Sequence, residues 1–444
     1  MNNQEIKTPL NAEENKAVSE WKEKKMSQIV EIKVSNVDKK IYPNKTLVKL
    51  CNYMDAYSND YIANKLPFSI GSADSNEIQK FGLKQGDVII TKDSESPDDI
   101  AVSSVVIEPL ENVVCGYHLA ILRPNKNELD GCFLMMKLKL PDLKNYFFGV
   151  ANGSTRYGLT IGNIENAKIS FPPLPQQQKI AKILSTADAV IEKTQAAIAK
   201  YKAIKQGLLH DLFTRGVVPE TVKVQNEKGE EEEKTVWKLR PTYQEAPHLY
   251  KESKLGMVPI EWEVLTVADV SENLDGKRIP VKQQDRDLQE EIYPYYGASG
   301  IIDYVENFIF NEPLILLGED GENVISRNVP LAFKVEGKIW VNNHAHVLKP
   351  IDNVTIIDFL CETLEAIDYS SIVSGSAQPK ITQGHLSKIL LKIPNIEEQI
   401  IIGKKIKAIN KKLQTEQAYL QKLYRLKAGL MGDLLSGRVR VKEA

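Results

Sequence analysis

Two stretches of the chain place apolar residues at alternating steps of four and three. The first runs through Ile180, Leu184, Ala187, Ile191, Thr194, Ile198, Tyr201, Lys205, Leu208 and Leu212. The second runs through Ile402, Ile406, Ile409, Leu413, Glu416, Leu420, Leu423, Lys427, Leu430 and Leu434. This a/d spacing predicts two long amphipathic helices. Two polar interruptions fall at matching steps in both, and a polar residue in such a seam fixes register and partner. Prolines stand before each helix (Pro172, Pro173, Pro175 and Pro394) and none inside, as at helix starts. At 1.5 Å per residue, about 40 residues span roughly 60 Å. Helices of that length are expected to pack on each other as spacers rather than each on its own domain; run antiparallel, they relate two halves by a pseudo-twofold axis.

Upstream of each helix the period shortens. "GLKQGDVIITKDS" and "VVCGYHLAILRP" in the first half, and "EPLILLGEDGENV" and "VNNHAHVLKP" in the second, read as strands bounded by turn residues. Residues 118–124 lie over 344–350 at an offset of 226, and 87–91 over 313–317. The fold class is therefore mixed α/β, with two similar recognition domains separated by two long antiparallel coiled-coil spacer helices. A shared scaffold with divergent loops suits two modules with different targets.

The helical blocks repeat far more closely. Residues 152–184 fall over 374–406 at an offset of 222, half of the 444-residue chain, without a gap. Gly153-Ser154 meets Gly375-Ser376, Thr160 meets Thr382, Gly162 meets Gly384, Pro172 meets Pro394 and Gln177 meets Gln399. "GLLHDLFTRG" (207–216) is echoed by "GLMGDLLSGR" (429–438). A repeat this regular organises the whole chain. The expected segments are an N-terminal extension over 1–25, a first recognition domain over 26–174 and a spacer helix over 175–216. A linker over 217–256 follows, then a second recognition domain over 257–395 and a spacer helix over 396–444. The acidic run 230–233 reads as a solvated loop.

Composition narrows the class. A formal net charge of −2 means that any nucleic-acid-binding surface must be local. The helices are basic: residues 176–216 hold seven Lys/Arg against three Asp/Glu. That charge is equally a solvated face or a surface for phosphates or an acidic partner. Cys51, Cys115, Cys132 and Cys361 are scattered, which suggests reduced thiols rather than a disulfide frame or zinc site. No apolar run reaches the roughly 18 residues of a membrane span, and the polar amino terminus lacks a signal-peptide core. A cytoplasmic protein is expected.

Two variable domains, each followed by a long helix opening on "PPLPQQQKIAKIL" or "IPNIEEQIIIGKKI", resemble the specificity subunit of a Type I restriction-modification system. "LYKESKLGMVPIEWEV" before the second module and the closing "LKAGLMGDLLSGRVRV" carry the same resemblance. It implies a non-catalytic reader of double-stranded DNA. Each domain would recognise half of a bipartite, asymmetric site, with the helices setting the gap. It further implies partners, two DNA methyltransferase (modification) subunits and ATP-dependent restriction subunits, that bring S-adenosylmethionine, ATP and Mg2+; this chain needs no cofactor. Host defence and DNA methylation are the processes implied.

Candidate DNA contacts combine glycine with polar, basic and aromatic residues in loops. Just before the helices stand Ser154, Thr155, Arg156 and Tyr157 in "NGSTRYGLT", and Ser376, Gln378 and Lys380 in "SGSAQPKIT". Arg and Lys pair with guanine edges or phosphates, and Gln with adenine. The same segments read equally as domain-to-helix hinges. Further candidates are Thr91, Lys92 and Ser94 in "TKDSES", Lys277 and Arg278 in "DGKR", and Tyr295, Tyr296 and Ser299 in "YYGAS". Gly207 and Gly429 sit inside helical patterns, where glycine costs about 1 kcal/mol relative to alanine; close approach of a backbone, from the other helix or a docked subunit, is the preferred reason. A nuclease is disfavoured: Asp320 with Glu336-Gly337-Lys338 is the one acid-plus-E-x-K arrangement, and "FKVEGKIWV" reads as a hairpin with Glu336-Gly337 at its turn. His344 and His346, two apart on a strand, fit packing or DNA contact better than metal. A two-domain protein-binding scaffold is the other reading.

Overall fold

A computed structural model describes residues 21–225, 231–286, 292–374 and 379–441. The chain divides into two compact units, one of Met1–Gln195 with Ala418–Ala444 and one of Ala196–Gln417. Both boundaries fall inside the long helices, Leu174–Thr214 and Ile396–Ser436, of 41 residues each. Each unit thus holds one recognition domain and part of both helices.

In the first unit a five-stranded sheet runs in the order Val30–Val34, Leu119–Pro124, Val88–Thr91, Ser103–Val106, Tyr61–Ile62. Its central strands are apolar without alternation because both faces are covered. Val88, Ile90, Ala120 and Leu122 face one cluster with Phe133 and Phe147, while Ile89 and Ile121 face a second with Leu50 and Phe81. Beside this second cluster lies a three-stranded sheet of Ser69–Ala73, Thr46–Cys51 and Val113–Cys115. Strand Lys22–Lys25 pairs with Lys168–Phe171, so the first domain begins inside the stretch read as an extension. Its four residues are all charged, which hid a strand with little to bury.

The second unit repeats the device. Its first sheet is ordered Ser271–Asn273, Ala345–Pro350, Leu314–Gly318, Ala332–Val335. Ile315, Leu317 and Leu348 join Phe359 and Leu360, whereas Leu314, Leu316 and Val347 join Val341 and Phe310 across the other face. A second sheet is ordered Gly300–Val305, Tyr293–Gly297, Lys338–Val341, Phe310–Asn311. The expected hairpin about Glu336-Gly337 is therefore a turn without a hairpin. Gly337 adopts φ +80°, but the strands on either side enter different sheets. The segment read as a linker is ordered too: Val217–Gln225 pairs with Glu231–Leu239, and Tyr250–Ser253 with Gly256–Pro259. Buried Glu398 accepts from the Val217 N–H (2.8 Å) and Trp262 Nε1 (2.9 Å), and Arg240 reaches it at 3.3 Å, tying that segment to the start of the second long helix.

Within each unit the helices pair antiparallel. In the first, Ile180 and Leu184 share a core with Leu434 and Leu435, Lys427 bonds Asp188, and Gln195 donates to Tyr424 (2.7 Å). In the second, Leu212 shares a core with Ile402 and Ile406, and Lys412 lies over the Tyr201 ring. Of the seam residues Ile191, Ile198 and Leu413 are also buried, and Leu208, Leu420 and Leu430 half-buried. Among the described residues no helix is long and apolar enough to cross a membrane.

Candidate nucleic-acid interface

The loop before the first long helix is a closed ring. Asn152 and Gly158 exchange backbone hydrogen bonds at 3.1 and 2.9 Å. Gly153 holds φ +147°, and a Cβ there would lie 2.0 Å from the Arg156 carbonyl, so only glycine fits. Tyr157 and Gly158 pair with Ser94 and Asp93. Two segments singled out separately in the sequence are thus one surface. Ser154, Thr155 and Arg156 are exposed on it and Tyr157 is half-buried.

Beneath the ring lies a small charged cluster. Lys92 Nζ reaches Asp93 at 2.7 Å and stands over the Tyr117 ring, and His118 Nδ1 lies 2.6 Å from the same carboxylate. Burial pushes the Asp93 carboxyl up, but the bonds and charges of Lys92 and His118 outweigh this and hold it below the usual aspartate range. A cleft of about 520 Å³ opens beside the cluster, lined by Tyr53, Tyr57, Glu95, Asp99 and Arg156. Tyr53 and Tyr57 stack with centroids 5.6 Å apart, and the Tyr57 hydroxyl donates to Asp99. Ser94 lines this cleft, largely buried. Thr91 corrects the sequence reading: it is fully buried, and its hydroxyl accepts from the Val102 N–H at 3.0 Å. A strand end ties down its own neighbour there and offers nothing to a ligand.

The second unit makes the same loop-closing contacts. Ser374 and Lys380 exchange backbone hydrogen bonds at 3.0 Å each, and Lys380 bridges to Asp320. Ser376 and Gln378 lie outside the described residues. Leu159 donates to the Lys92 carbonyl in the first unit and Ile381 to the Glu319 carbonyl in the second, both at 2.8 Å. His344 then pairs with Asp320 (2.9 Å) as His118 does with Asp93. Residue type alone does not mark Asp93 and His118 as site residues, although the alignment of residues 118–124 over 344–350 sets His118 on His344.

The chemistry at the ring differs. Position 92 is lysine, whereas its counterpart Glu319 is a nearly buried acid that binds Arg278 at 2.6 Å and Lys380 at 2.9 Å. Arg278 also donates to the Ala345 carbonyl at 2.8 Å. It is therefore consumed by the fold, which corrects its place among the contacts; Lys380 remains exposed. Behind them His346, fully buried, lies between the Asp275 carboxylate (2.6 Å) and the Ile381 carbonyl (2.8 Å). His344 and His346 thus serve two separate carboxylates, and among the described residues no group of three or more His, Cys, Asp or Glu could hold a metal ion. Glu336 is exposed at its turn, and Lys338 stands over the Phe308 ring. Tyr295 is a third correction: 1% exposed, its hydroxyl accepts from the Val281 N–H and its ring carries Arg286. Tyr296 is half-buried against Phe333, while Lys277 and Ser299 are exposed.

Two pseudo-repeated sheet domains, each carrying the same loop closure and each followed in the chain by a long helix, define a two-module protein. The family model for the Type I restriction modification DNA specificity domain matches residues 18–201 and 259–425. The chain belongs to this family: it is a DNA-recognition subunit of a Type I restriction-modification system, and such subunits are not catalytic. It is 23% identical over 432 residues to the Type I restriction enzyme MjaVIII specificity subunit of Methanocaldococcus jannaschii, covering 89% of this chain and 88% of that one. It is 28% identical over 145 residues to the EcoprrI specificity subunit of Escherichia coli, about a third of each chain. The crystal structure of the S subunit from M. genitalium shares the fold, with a TM-score of 0.58 at 17% identity over 93% of this chain and 96% of that one.

Proposed function

We propose that each unit reads one half of a bipartite, asymmetric DNA site through its loop ring, and that the two long helices set the interval between the halves. The observation that carries this is the duplicated loop closure, Asn152 with Gly158 beside Asp93 and Ser374 with Lys380 beside Asp320, each followed by one short helix and one strand and then by its long helix. Arg156, Ser154 and Thr155 on the first ring, Lys92 beneath it, and in the second unit Lys380 with Ser376 and Gln378 just before it in the sequence are the contacts we assign, with Tyr157, Ser94, Lys277, Tyr296 and Ser299 at their margins. Linking two weak half-site readers raises affinity only when the spacing fits. The gap is then part of the specificity.

The same helices dock the methylation subunits, and through them the restriction subunits; S-adenosylmethionine, ATP and Mg2+ belong to those partners. A repeated feature supports this. Ile204 and Leu426, equivalent residues, are 45% and 55% exposed. Three positions on, Gly207 and Gly429 have nothing within 4 Å of where a Cβ would stand. Among the described residues no packing explains these glycines, which corrects the other-helix half of the sequence reading. A partner backbone approaching closely at both places would. Deletion of the gene in its host, with methylated adenines mapped before and after, tests the assignment. Loss of one motif with a fixed unspecified gap is expected; persistence of every methylated motif would rule out that this chain directs them.

A further inference from the structure

At the foot of each long helix a glutamine is wholly enclosed: Gln177 and Gln399 are both 0% exposed, an uncommon fate for an amide. Gln177 Nε2 donates to the carbonyls of Glu128 and Pro172 at 2.8 Å each, and its Oε1 accepts from the Asp130 N–H at 2.9 Å. Gln399 Nε2 donates to the carbonyls of Val354 (2.9 Å) and Pro394 (2.8 Å). Its Oε1 accepts from the Ile356 N–H (3.0 Å) and the Thr355 hydroxyl (3.1 Å). The backbone partners correspond one for one between the halves.

Those partners belong to two different parts of each unit, the run just before the long helix and the loop that leads into a core helix. Pro172 and Pro394 directly follow the strands Lys168–Phe171 and Leu390–Ile393, which lead into the long helices. Asp130 and Ile356 stand immediately before the helices Gly131–Leu138 and Ile357–Ala366, which carry the core residues Phe133, Leu134, Phe359 and Leu360. Ile180 and Leu184, or Ile402 and Ile406, already hold the long helix to its domain by burial. Burial is non-directional, however, and lets a helix pivot. A planar amide held at both ends by hydrogen bonds fixes an angle as well as a contact.

We propose that Gln177 and Gln399 are positioning residues that set the angle of each long helix to its reader domain, and with it how strictly the interval between half-sites is measured. This rests on the bipartite reading above. The leverage is large: over a helix of roughly 60 Å a tilt of about 3° moves the far end by about 3 Å, close to one base-pair step.

Gln177→Glu keeps the shape and places a carboxylate against two carbonyls, removing both donated bonds. The full chain, with the subunits that copurify from its host, is used to select bound sequences from a pool of random duplexes. The wild type is expected to return two half-sites at one interval. The variant is expected to return the same half-sites at intervals one base pair shorter and longer as well, with binding at the original interval weakened by about tenfold, the scale of one buried hydrogen bond. A variant that keeps the single interval at wild-type affinity overturns the proposal. So does one that melts like the wild type but changes a half-site sequence, because the glutamine would then serve the reading loop. A wild-type pool without any bipartite sequence sinks the half-site reading itself and the latch with it. Gln399→Glu repeats the test in the second unit should the first variant not fold.

Discussion

The two loop sites share their closing backbone hydrogen bonds and differ in charge. In the first unit Lys92 stands under the ring beside an open cleft, and Asp93 holds both Lys92 and His118. In the second, Glu319 turns inward and draws Arg278 and Lys380 to itself, with His346 and Asp275 buried behind. One exchange of sign at equivalent positions, Lys92 for Glu319, replaces a half-buried cation paired with Asp93 by a nearly buried acid paired with Arg278 and Lys380. The scaffold fixes where side chains are offered; the local charge balance decides which of them remain available to a ligand.

The largest effect that can break this comparison is on stability. Removing one partner of a buried ion pair costs about 3–5 kcal/mol, so Asp275→Asn is expected to destabilise its unit on that scale in urea unfolding. Asp93→Asn removes a partly exposed pair and is expected to cost roughly 1 kcal/mol. Equal losses would mean that the two networks do the same job. Acid sharpens the contrast. Burial pushes the Asp275 carboxyl up, yet the bond and charge of His346, the Val347 N–H and Arg278 outweigh it and leave it below its ordinary value. The unfolded chain therefore takes up the proton first, near pH 4. The stability that Asp275 supplies is present above that pH and lost as pH falls further, so wild type and Asp275→Asn are expected to converge on acidification.

Next in size is readout. Arg156→Ala is expected to cost about 1–3 kcal/mol and to relax one base pair of the first half-site if the guanidinium meets a base edge. Lys92→Ala should instead weaken binding to every duplex alike and reduce the salt slope by about 1. Arg278→Ala is expected to lower the melting temperature without altering the selected sequence; an altered sequence would return Arg278 to the contacts. The smallest effect is at the helices. Gly207→Ala and Gly429→Ala should each stabilise the chain by up to about 1 kcal/mol and yet weaken copurification of the methylation subunit. Unchanged copurification would leave those glycines without a docking role.

Much of this architecture was legible in the sequence because duplication and heptad spacing are written in residue types. The gapless register matched the two loop segments ahead of the helices, and the heptad spacing marked both helices and the seam between them. The reach of each unit across the middle of the helices was not legible, since nothing in composition changes near Gln195 or Gln417. Thr91 and Tyr295 were misread for one reason: a polar atom beside glycine or charge looks like a loop, and only the fold shows that it is spent on a neighbouring N–H. Lys22–Lys25 carries no apolar alternation and so gave no strand signal. The His–Asp pairs were half visible, through the one histidine that both halves share.

The division of the helices also sets an order of assembly. The second unit is built from one unbroken run, Ala196–Gln417, while the first needs Ala418–Ala444 to close its core around Leu434 and Leu435. Domains usually fold in the order of synthesis, at about 5–20 residues per second. Here the part made first cannot finish until the last helix has left the ribosome, tens of seconds later at that rate. Until then the face of its core that receives Leu434 and Leu435 stands uncovered, which is the interval in which a chaperone, or a misplaced copy of the same helix from a neighbouring chain, would find it.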